Sequence, residues 1–396
     1  MTEVVFLSGA RTPIGSFGGS LKDIAPIELG IHAAKAAISR AGIAPEDVQQ
    51  AMFGNVIHTE ARDMYLSRAI AMGAGVPKEA PALTVNRLCG SGLQAIVSAA
   101  QVIRLGDAAI VLAGGAESMS RGGYLMPAAR WGQRMGDTQV VDMMIGVLND
   151  PFGHGHMGVT AENVSERYGI SRRQQDEAAV ESHRRAAQAV AAGHFKAGIA
   201  PFELTTRKGT VVFDTDEHVR ADANVDDMAR LKAVFRKGGT VTAGNASGIN
   251  DGAAALVLAD AAAARARGLR PLARLLSYGI AGVDPSEMGM GPVPAVRIAL
   301  EKAGLAAGDL DVIESNEAFA AQACAVTKVL RLDPAKVNPN GGAIALGHPV
   351  GATGAILAIK AIGELQRTGG RYGLVTLCIG GGQGIAIVIE RSQATG

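Results

Sequence analysis

Short apolar runs alternate with longer amphipathic ones along this chain, and their order predicts strands followed by helices. The run VVFL (4–7) is typical of a buried strand, whereas IELGIHAAKAAISRAG (27–42) places its apolar residues on one face of a helix. The strand-like runs VQQAMFG, ALTVN and AAIVLAGG follow, with another amphipathic helix between the last two. This is the pattern of βαβ units with right-handed crossovers, so we expect an α/β fold.

The same order returns near the C-terminus. SRAGIAPEDVQQAMFGN (39–55) aligns with EKAGLAAGDLDVIESNE (301–317), where the matched glycines Gly42 and Gly304 lie 262 positions apart. Gly92 in CGSG and Gly354 in GATG have the same offset, and VLAGG (111–115) resembles LCIGG (377–381). An internal duplication of this length predicts two similar α/β lobes packed about a pseudo-twofold axis, with equivalent loops facing each other.

The region between the two repeats follows neither pattern. A chain of 396 residues exceeds the size of a single core. The middle carries the only Trp, several Met and a polar helical stretch (171–193) whose charges suit a solvated face. We therefore predict an N-terminal lobe from residues 1–118 and 249–270, an inserted loop domain at 119–248, and a C-terminal lobe at 271–396.

Composition excludes several classes of function. Hydrophobic residues make up 48%, charged residues 19%, and the net charge is +1, so the chain lacks the charge excess typical of nucleic-acid or membrane-surface binding. No apolar run approaches the roughly 20 residues of a membrane span. The N-terminal sequence resembles no signal or transit peptide, and three cysteines make no disulfide framework. We expect a cytoplasmic protein with free thiols.

Four segments place reactive side chains at predicted turns. They are NRLCGSG with Cys89, GGAIALGHPVGATGA with His348, LCIGGGQG with Cys378, and ESNEAFA with Asn316. Each one alone is compatible with a structural role, since a cysteine can fill a core as a small apolar residue and GGGQG can be a plain hairpin turn. The duplication, however, brings the Cys89 and His348 loops to equivalent ends of two lobes, where they would meet.

Cys89 would gain reactivity in that position. The N-terminus of a helix lowers the pKa of a thiol, and the flanking glycines allow a bulky substrate to approach the backbone. The amide of Cys89 could donate to an oxyanion, and a neighbouring imidazole such as that of His348 would complete a Cys/His pair. We predict that Cys89 is a nucleophile.

Other chemistries find little support. Cys89, Cys324 and Cys378 lack CxxC spacing, and His154 and His156 lack a plausible set of further ligands, so no metal site is expected. VLAGGAESM does not match GxGxxG, and GGGQG precedes a strand-like run rather than a helix, which argues against dinucleotide binding.

Seven motifs together resemble the thiolase family of acetyl-CoA acetyltransferases and 3-ketoacyl-CoA thiolases. They are NRLCGSG, LAGGAESMS, HMGVTAENV, VTAGNASGINDGAAA, NEAFA, GGAIALGHPVGATGA and CIGGGQG. The resemblance spans nearly the whole chain and is greatest to the bacterial β-ketothiolases that supply polyhydroxyalkanoate synthesis, including the broad-specificity type. It implies two βαβαβαββ lobes with an inserted loop domain, in agreement with the duplication.

The resemblance also implies roles for the reactive residues. Cys89 would be acylated by the first acyl-CoA after activation by His348, and Cys378 would remove the α-proton of the second acetyl-CoA. Asn316 would hold a water that joins His348 in stabilising the enolate oxygen. The amides of Cys89 and Gly380 would form a second oxyanion hole.

Coenzyme A thioesters would be substrates, with no separate cofactor. The implied coenzyme A contacts are Leu148, His156, Met157, Arg220, Phe235, Ala243, Ser247, Ala318 and Phe319. Arg220 would serve the nucleotide phosphates, while Asp227 stands where some family members carry a serine. Met157, Met288, Met290 and Phe319 would form an adaptable acyl pocket. The segment 124–137 corresponds to a loop that joins family dimers into tetramers, so a homotetramer is expected.

Two rival functions remain open at this point. A ketoacyl synthase shares the fold and the cysteine but pairs it with two histidines, and Asn316 occupies the place expected for one of them. A non-catalytic acyl-CoA or lipid carrier would use the same cleft without a complete reactive set. The sequence leaves the preferred acyl length and the direction of the reaction, condensation or thiolysis, undetermined.

Overall fold

The computed structural model describes residues 2–207 and 209–393, in which helices and strands alternate as the apolar pattern predicts. The strands are β1 (Val4–Arg11), β2 (Gly15–Ser16), β3 (Gln50–Gly54), β4 (Ala82–Val85), β5 (Ile110–Ser118), β6 (Tyr124–Leu125), β7 (Val141–Asp142), β8 (Asn149–Asp150), β9 (Gly155–His156), β10 (Phe202–Thr206), β11 (Gly209–Phe213), β12 (Asn250–Asp260), β13 (Ala273–Gly282), β14 (Val312–Ser315), β15 (Tyr372–Ile379) and β16 (Gln383–Arg391). The helices are α1 (Pro26–Ala41), α2 (Leu66–Gly73), α3 (Ser91–Leu105), α4 (Met143–Val147), α5 (Met157–Tyr168), α6 (Arg172–Ala192), α7 (Val225–Ala229), α8 (Ala261–Ala266), α9 (Pro292–Ala303), α10 (Ala320–Leu330), α11 (Ala343–Leu346) and α12 (Thr353–Thr368).

One mixed sheet carries the duplication. Its strand order is β14-β15-β16-β13-β1-β12-β5-β3-β4, with β2 pairing β12. The two first strands of the repeats, β1 and β13, meet antiparallel in the middle through Val5↔Arg274 and Phe6↔Ala273. Outward from that junction the first half continues with β12, β5 and β3, and the second half continues with β16, β15 and β14. The two halves therefore have the same strand order. The outermost strand of the first half, β4, has only a single bridge, Ile313↔Val337, as its counterpart in the second.

Matched glycines occupy matched places in the two halves. Gly42 ends α1 and Gly304 ends α9, each in the left-handed region with φ 68° and φ 66°. Glycine adopts this conformation without the steric cost of a Cβ. The mixed α/β fold predicted from the sequence is therefore confirmed, and the spacing of the repeat is visible in its helix ends.

The equivalent helices α3 and α12 pack against each other at the centre. A Cβ added to Gly354 would overlap the backbone nitrogen of Leu93, and one added to Gly92 would lie 2.9 Å from the nitrogen of Ala355. Because both glycines lack a side chain, the first turns of the two helices approach backbone to backbone. The residues just before these turns, Cys89 and His348, are thereby brought to one place.

Apolar side chains are buried between the central sheet and the helices on both of its faces. Residues of α3 and α12 share the largest apolar cluster with strands of both sheet halves, while α1 and α2 cover the other face of the first half and α9 covers that of the second. Among the described residues, one helical segment, Leu88–Leu105, is long and apolar enough to cross a membrane, but here it forms part of this core.

The region between the repeats contains β6–β11 and α4–α7. It is fastened to β1 by a buried ion pair, in which the two terminal nitrogens of Arg11 donate to Asp216 Oδ1 at 2.7 Å and Oδ2 at 2.8 Å. The proposed boundaries of the lobes and the loop domain stay predictions. Met1, Lys208 and residues 394–396, which those boundaries include, lie outside the described residues.

Candidate active site

A cavity of about 60 Å³ lies where the ends of both repeats meet the middle region. Its walls come from Val56, Leu88, Cys89, Val147, Leu148, Met157, Ser247, Met288, Ala318, Phe319, His348, Val350, Cys378 and Gly380. It thus gathers two thiols and an imidazole from segments that are far apart in sequence. A larger groove of about 750 Å³ runs between α12 and residues 192–198, but its buried Lys360 and Glu364 already bind protein partners. The thiols and the imidazole of the smaller cavity, rather than its volume, therefore identify it as the candidate active site.

A strained turn presents Cys89. Leu88, just before it, has φ 45°, a conformation rare for a residue with a side chain and costing about 1–3 kcal/mol. The hydroxyl of Ser91 holds the turn by accepting from the Arg87 N–H at 2.8 Å and donating to the Leu88 carbonyl at 2.7 Å. Asn86 Oδ1 accepts from the Leu88 N–H at 2.9 Å. The turn ends at α3 and leaves Cys89 at the cavity wall.

Burial raises the pKa of the Cys89 thiol to about 11, although the backbone N–H groups of Gly380 and Cys89 point at the sulfur and oppose the rise. The expectation that the helix would lower this pKa is therefore wrong. Gly90, not Cys89, caps α3, and the loss of water around the sulfur outweighs the two amides. Cys89 therefore rests as a neutral thiol, and a nucleophilic role would need a base to take its proton.

His348, the candidate for that base, is held by two hydrogen bonds. Its backbone N–H donates to Asn250 Oδ1 at 2.9 Å, and its Nδ1 lies 2.7 Å from Thr353 Oγ1. Because the Thr353 hydroxyl donates to the Pro349 carbonyl at 2.9 Å, it accepts from an Nδ1–H of the imidazole. Nε2 then carries the lone pair. Burial lowers the pKa of His348 to about 4, which keeps the ring neutral at physiological pH.

Asn316 lies directly after β14, with its Nδ2 at 3.3 Å from Nε2 of His348. Its Oδ1 is buried without a protein hydrogen-bond partner within the described part of the chain. A buried amide oxygen of this kind can accept a hydrogen bond from a water or a substrate. This fits the water-holding role that the sequence resemblance implies.

Cys378 is the last but one residue of β15, and a glycine hairpin turns the chain back into β16. Burial, followed by the proximity of Cys89, raises the pKa of the Cys378 thiol above its usual range. The Cys89 turn and this hairpin are joined directly, because a terminal nitrogen of Arg87 donates to Gln383 Oε1 at 3.1 Å. The two thiols are thus held on adjoining loops.

Five of the predicted coenzyme A contacts lie in the cavity wall: Leu148, Met157, Ser247, Ala318 and Phe319. The N–H of Met157 donates to the Leu148 carbonyl at 2.7 Å, and that of Ser247 donates to the Ala318 carbonyl at 3.0 Å. Of the predicted acyl-pocket residues, Met290 instead packs in a separate apolar cluster with Val164 and Ile170.

The other predicted contacts lie towards the surface. His156 stacks on Phe235 with ring centres 4.6 Å apart, and Phe235 meets Phe319 edge to face at 6.2 Å. Arg220 and Ala243 are exposed. The candidates therefore extend from an enclosed thioester end to an open end, as an elongated ligand would require. The carboxylate of Asp227 accepts from Asn224 at 2.7 Å in the first turn of α7.

Sequence reasoning missed three polar residues around the site. Thr353 and Asn250 orient His348, and Glu117 binds backbone amides beside the cavity. Thr353 stands five residues after His348 at the start of a predicted helix, a place where a hydroxyl commonly accepts or donates locally. Asn250 and Glu117 act across the fold, so no local spacing could have found them.

No group of three or more His, Cys, Asp or Glu side chains in residues 2–207 and 209–393 is arranged to hold a metal ion. The polar residues among those that line the cavity are Cys89, Cys378, His348 and Ser247. This set suits acyl transfer between thiols.

Comparison with known proteins gives concordant results. Family models described as "Thiolase, N-terminal domain" and "Thiolase, C-terminal domain" match residues 4–262 and 269–391. The beta-ketothiolase BktB of Cupriavidus necator is 66% identical over 98% of this chain and 99% of its own. The crystal structure of the Bacillus anthracis acetyl-CoA acetyltransferase has TM-score 0.97 at 46% identity, covering 99% of both chains. That of human mitochondrial 3-ketoacyl-CoA thiolase in complex with CoA has TM-score 0.96 at 44% identity, covering 99% of this chain and 98% of the other.

Proposed function

The chain belongs to the thiolase family, and on that premise we propose that it is an acetyl-CoA C-acyltransferase. It condenses acetyl-CoA with an acyl-CoA, or cleaves a short 3-ketoacyl-CoA with coenzyme A, through an acyl group on Cys89. The observation that carries this proposal is the convergence of Cys89, His348, Cys378 and Gly380 on one cavity, with Asn316 hydrogen-bonded to the imidazole.

In the first half-reaction, His348 Nε2 takes the thiol proton of Cys89 as the sulfur attacks the thioester carbonyl. The amides of Cys89 and Gly380 stabilise the oxygen of the tetrahedral intermediate. The bond to coenzyme A then breaks, the acyl group stays on Cys89, and the departing thiolate receives the proton from His348. A neutral imidazole with a free Nε2 is the form that this step needs.

In the second half-reaction, Cys378 passes its thiol proton to the neutral imidazole of His348, which lines the same cavity, and the resulting thiolate removes the α-proton of acetyl-CoA. The raised pKa of this buried thiol makes its thiolate strongly basic. The enolate oxygen would face His348 and a water held by Asn316, and the carbanion attacks the acyl carbon. This attack releases Cys89 as a thiolate, which takes the proton back from His348. Each role requires the residue type found there, because removal of a proton next to a thioester needs both a base and oxyanion donors.

Two rival functions are disfavoured by particular residues. A ketoacyl synthase would place a second histidine where Asn316 stands, and it would not need the extra thiol of Cys378. A carrier would not need the oriented pair of Cys89 and His348. We propose coenzyme A thioesters as substrates without a further cofactor, and a cytoplasmic location.

We also propose a homotetramer. The loop 124–137 is apolar and exposed, with Trp131 86% and Met135 92% accessible in the single chain. Exposed apolar patches of this kind mark protein interfaces, and the resemblance of this segment to the tetramer-forming loop of the family supports the proposal. Light scattering should give four times the chain mass. A dimer in wild-type protein would contradict the proposal.

The acyl pocket is proposed to accept one carbon beyond acetyl. Met157, Met288 and Phe319 pack as one apolar cluster at the cavity, and methionine adapts to irregular shapes. One methylene changes discrimination by about 1–3 kcal/mol, so an unselective site should cleave 3-ketovaleryl-CoA within roughly tenfold of acetoacetyl-CoA in kcat/KM. A much larger gap would show strict acetoacetyl specificity.

The main test is thiolysis of acetoacetyl-CoA. The absorbance of its magnesium enolate should fall when coenzyme A and enzyme are both present, and mass spectrometry should show an acetyl adduct on Cys89. Binding of acetoacetyl-CoA without any fall in absorbance would favour the carrier instead.

A further inference from the structure

Glu117 is a buried carboxylate that the proposed mechanism does not use. It lies near the end of β5, opposite Gly252 of β12, and is 0% exposed. Its hydrogen-bond partners are four N–H groups rather than a positively charged side chain. Its Oε1 accepts from Asn55 Nδ2 at 3.1 Å and from the Ile57 amide at 3.0 Å. Its Oε2 accepts from the Val56 amide at 3.0 Å and from the Gly351 amide at 2.9 Å.

These donors belong to both repeats. Asn55, Val56 and Ile57 follow β3 in the first, whereas Gly351 lies three residues after His348 in the second. Val56 and Val350 both line the catalytic cavity. One oxygen of Glu117 therefore joins a cavity wall of the first repeat to the loop that carries the catalytic base.

The contact is tight on the Gly351 side. A Cβ on Gly351 would lie 2.5 Å from Glu117 Oε2 and 3.1 Å from the Cα of Asn55, and one on Gly115 would overlap the Gly351 carbonyl oxygen. The backbone of Gly351 thus has little room to move sideways. The hydrogen bond from the Gly351 N–H to Glu117 further restricts movement of this backbone.

Charge supports the same interpretation. Burial raises the pKa of Glu117 above its usual range, while the amides of Ile57, Val56 and Gly351 lower it. Each carboxylate oxygen accepts two N–H groups, an arrangement that favours the ionised form. The carboxylate in turn contributes to the raised pKa of Cys89. Burial of a carboxylate without a cation beside it costs free energy, and its four N–H hydrogen bonds offset part of that cost.

We propose that Glu117 is a positioning residue for the acyl-transfer reaction: by binding the amides of Val56 and Gly351 it holds the His348 loop at the distance that Cys89 acylation needs. This inference rests on the proposed function. Displacement of a catalytic group by about 1 Å can cost around a hundredfold in rate. The effect should therefore fall on the rate of acylation rather than on binding.

The test compares Glu117→Gln with a matched control. In Glu117→Gln one oxygen becomes an NH₂ that cannot accept, so at least one pair of N–H groups loses its partner. The control is Asp63→Asn, which removes the same charge from a carboxylate that is also 0% exposed and binds the backbone N–H groups of Thr59 and Glu60, but does not bind Gly351. Single-turnover acetylation of Cys89 is followed by mass spectrometry at several acetyl-CoA concentrations, alongside thermal unfolding.

We expect Glu117→Gln to lower the maximal acetylation rate by roughly tenfold to a hundredfold, with the half-saturating acetyl-CoA concentration within about threefold of wild type. Asp63→Asn should acetylate at the wild-type rate even if its unfolding temperature falls as much. Wild-type acetylation rates in Glu117→Gln, or equal slowing in both variants, would overturn the inference.

A second variant covers a failure of Glu117→Gln to fold. Gly351→Ala keeps the carboxylate but pushes it from the other side, and it should slow acetylation in the same way; an unchanged rate in this variant would also overturn the inference. If wild-type protein itself formed no acetyl adduct, the proposed function would fail and this inference with it.

Discussion

The turns at Cys89 and at His348 occupy equivalent places in the two repeats, yet they are held differently. The Cys89 turn is stabilised mainly by the nearby Ser91 and Asn86, with one hydrogen bond from Arg87 to the distant Gln383, and has a strained backbone at Leu88. The His348 turn is fully buried and depends on Asn250, which is 98 residues away, as well as on Thr353. The two turns thus share a geometry and differ in the contacts that hold them.

The electrostatics of the two turns differ in a complementary way. Burial raises the pKa of Cys89 to about 11 and lowers that of His348 to about 4. Both side chains are therefore neutral at rest, and in the proposed mechanism the proton moves as the sulfur attacks. A position near a helix N-terminus therefore does not by itself lower the pKa of a thiol when the surrounding protein excludes water.

The largest effect should come from removing the nucleophile. Cys89→Ala should abolish condensation and thiolysis, because no acyl acceptor remains, and the small cavity left should be tolerated by the fold. Mass spectrometry after incubation with acetyl-CoA is the measurement. An acetyl adduct that persists in this variant would move the nucleophile away from the Cys89 turn.

Cys378→Ala should separate the half-reactions. The two compared turns carry acylation without Cys378, so the variant should still acetylate Cys89 but should form no acetoacetyl-CoA. Burst acetylation is measured by rapid mixing, and condensation by the enolate absorbance. If both steps were lost together, Cys378 would be required for the first step as well.

Removing the hydroxyl from Thr353 should weaken the base without touching substrate. In Thr353→Val the Nδ1–H of His348 loses its acceptor, which frees the ring to adopt the tautomer with the proton on Nε2. Since positioned general bases contribute about 10²–10⁴-fold, we expect acetylation to slow by roughly ten- to a hundredfold. Thr353→Ser keeps the hydroxyl and is the control. Equal rates in the two variants would show that Thr353 does not set the tautomer.

The sequence predicted the fold well because its signals are local or periodic. The matched glycines Gly42 and Gly304 and the helix starts at Gly92 and Gly354 carry the duplication, and all four lie where the alignment put them. The thiolase family was likewise recognisable from contiguous motifs.

Contacts between residues that are far apart in the chain could not be predicted from the sequence. Asn250 and Glu117 reach the site because β12 begins and β5 ends beside the His348 loop. Their positions in the sequence do not indicate this proximity. The sign of the Cys89 pKa shift was mistaken for a related reason. Proximity to a helix can be inferred from sequence, whereas the amount of water excluded by distant segments cannot.

A smaller effect should come from the paired glycines themselves. A Cβ on Gly354 overlaps the backbone of Leu93, while one on Gly92 meets Ala355 N at 2.9 Å. Overpacking costs about 1–3 kcal/mol, so both alanine variants should unfold at lower temperature, with Gly354→Ala the lower of the two. The same order should hold for activity. Equal unfolding temperatures would mean that the two helices can separate, and that the symmetry at their crossing is looser than it looks.

The smallest expected effect is that of pH on acetylation near neutrality. An unperturbed histidine has a pKa near 6.5, and a base of that kind would lose about half its activity at pH 6.5. Burial lowers the pKa of His348 to about 4, so its base form is fully present above pH 5 and is lost only as the pH falls through about 4. The Cys89 thiol, with a pKa of about 11, stays protonated over the same range. The single-turnover rate should therefore be nearly flat from pH 5 to pH 8, and Thr353→Val should share that flat profile at a lower level. A fall in rate centred near pH 6.5 would show that water reaches His348. The His348 turn would then not be the more buried of the two turns.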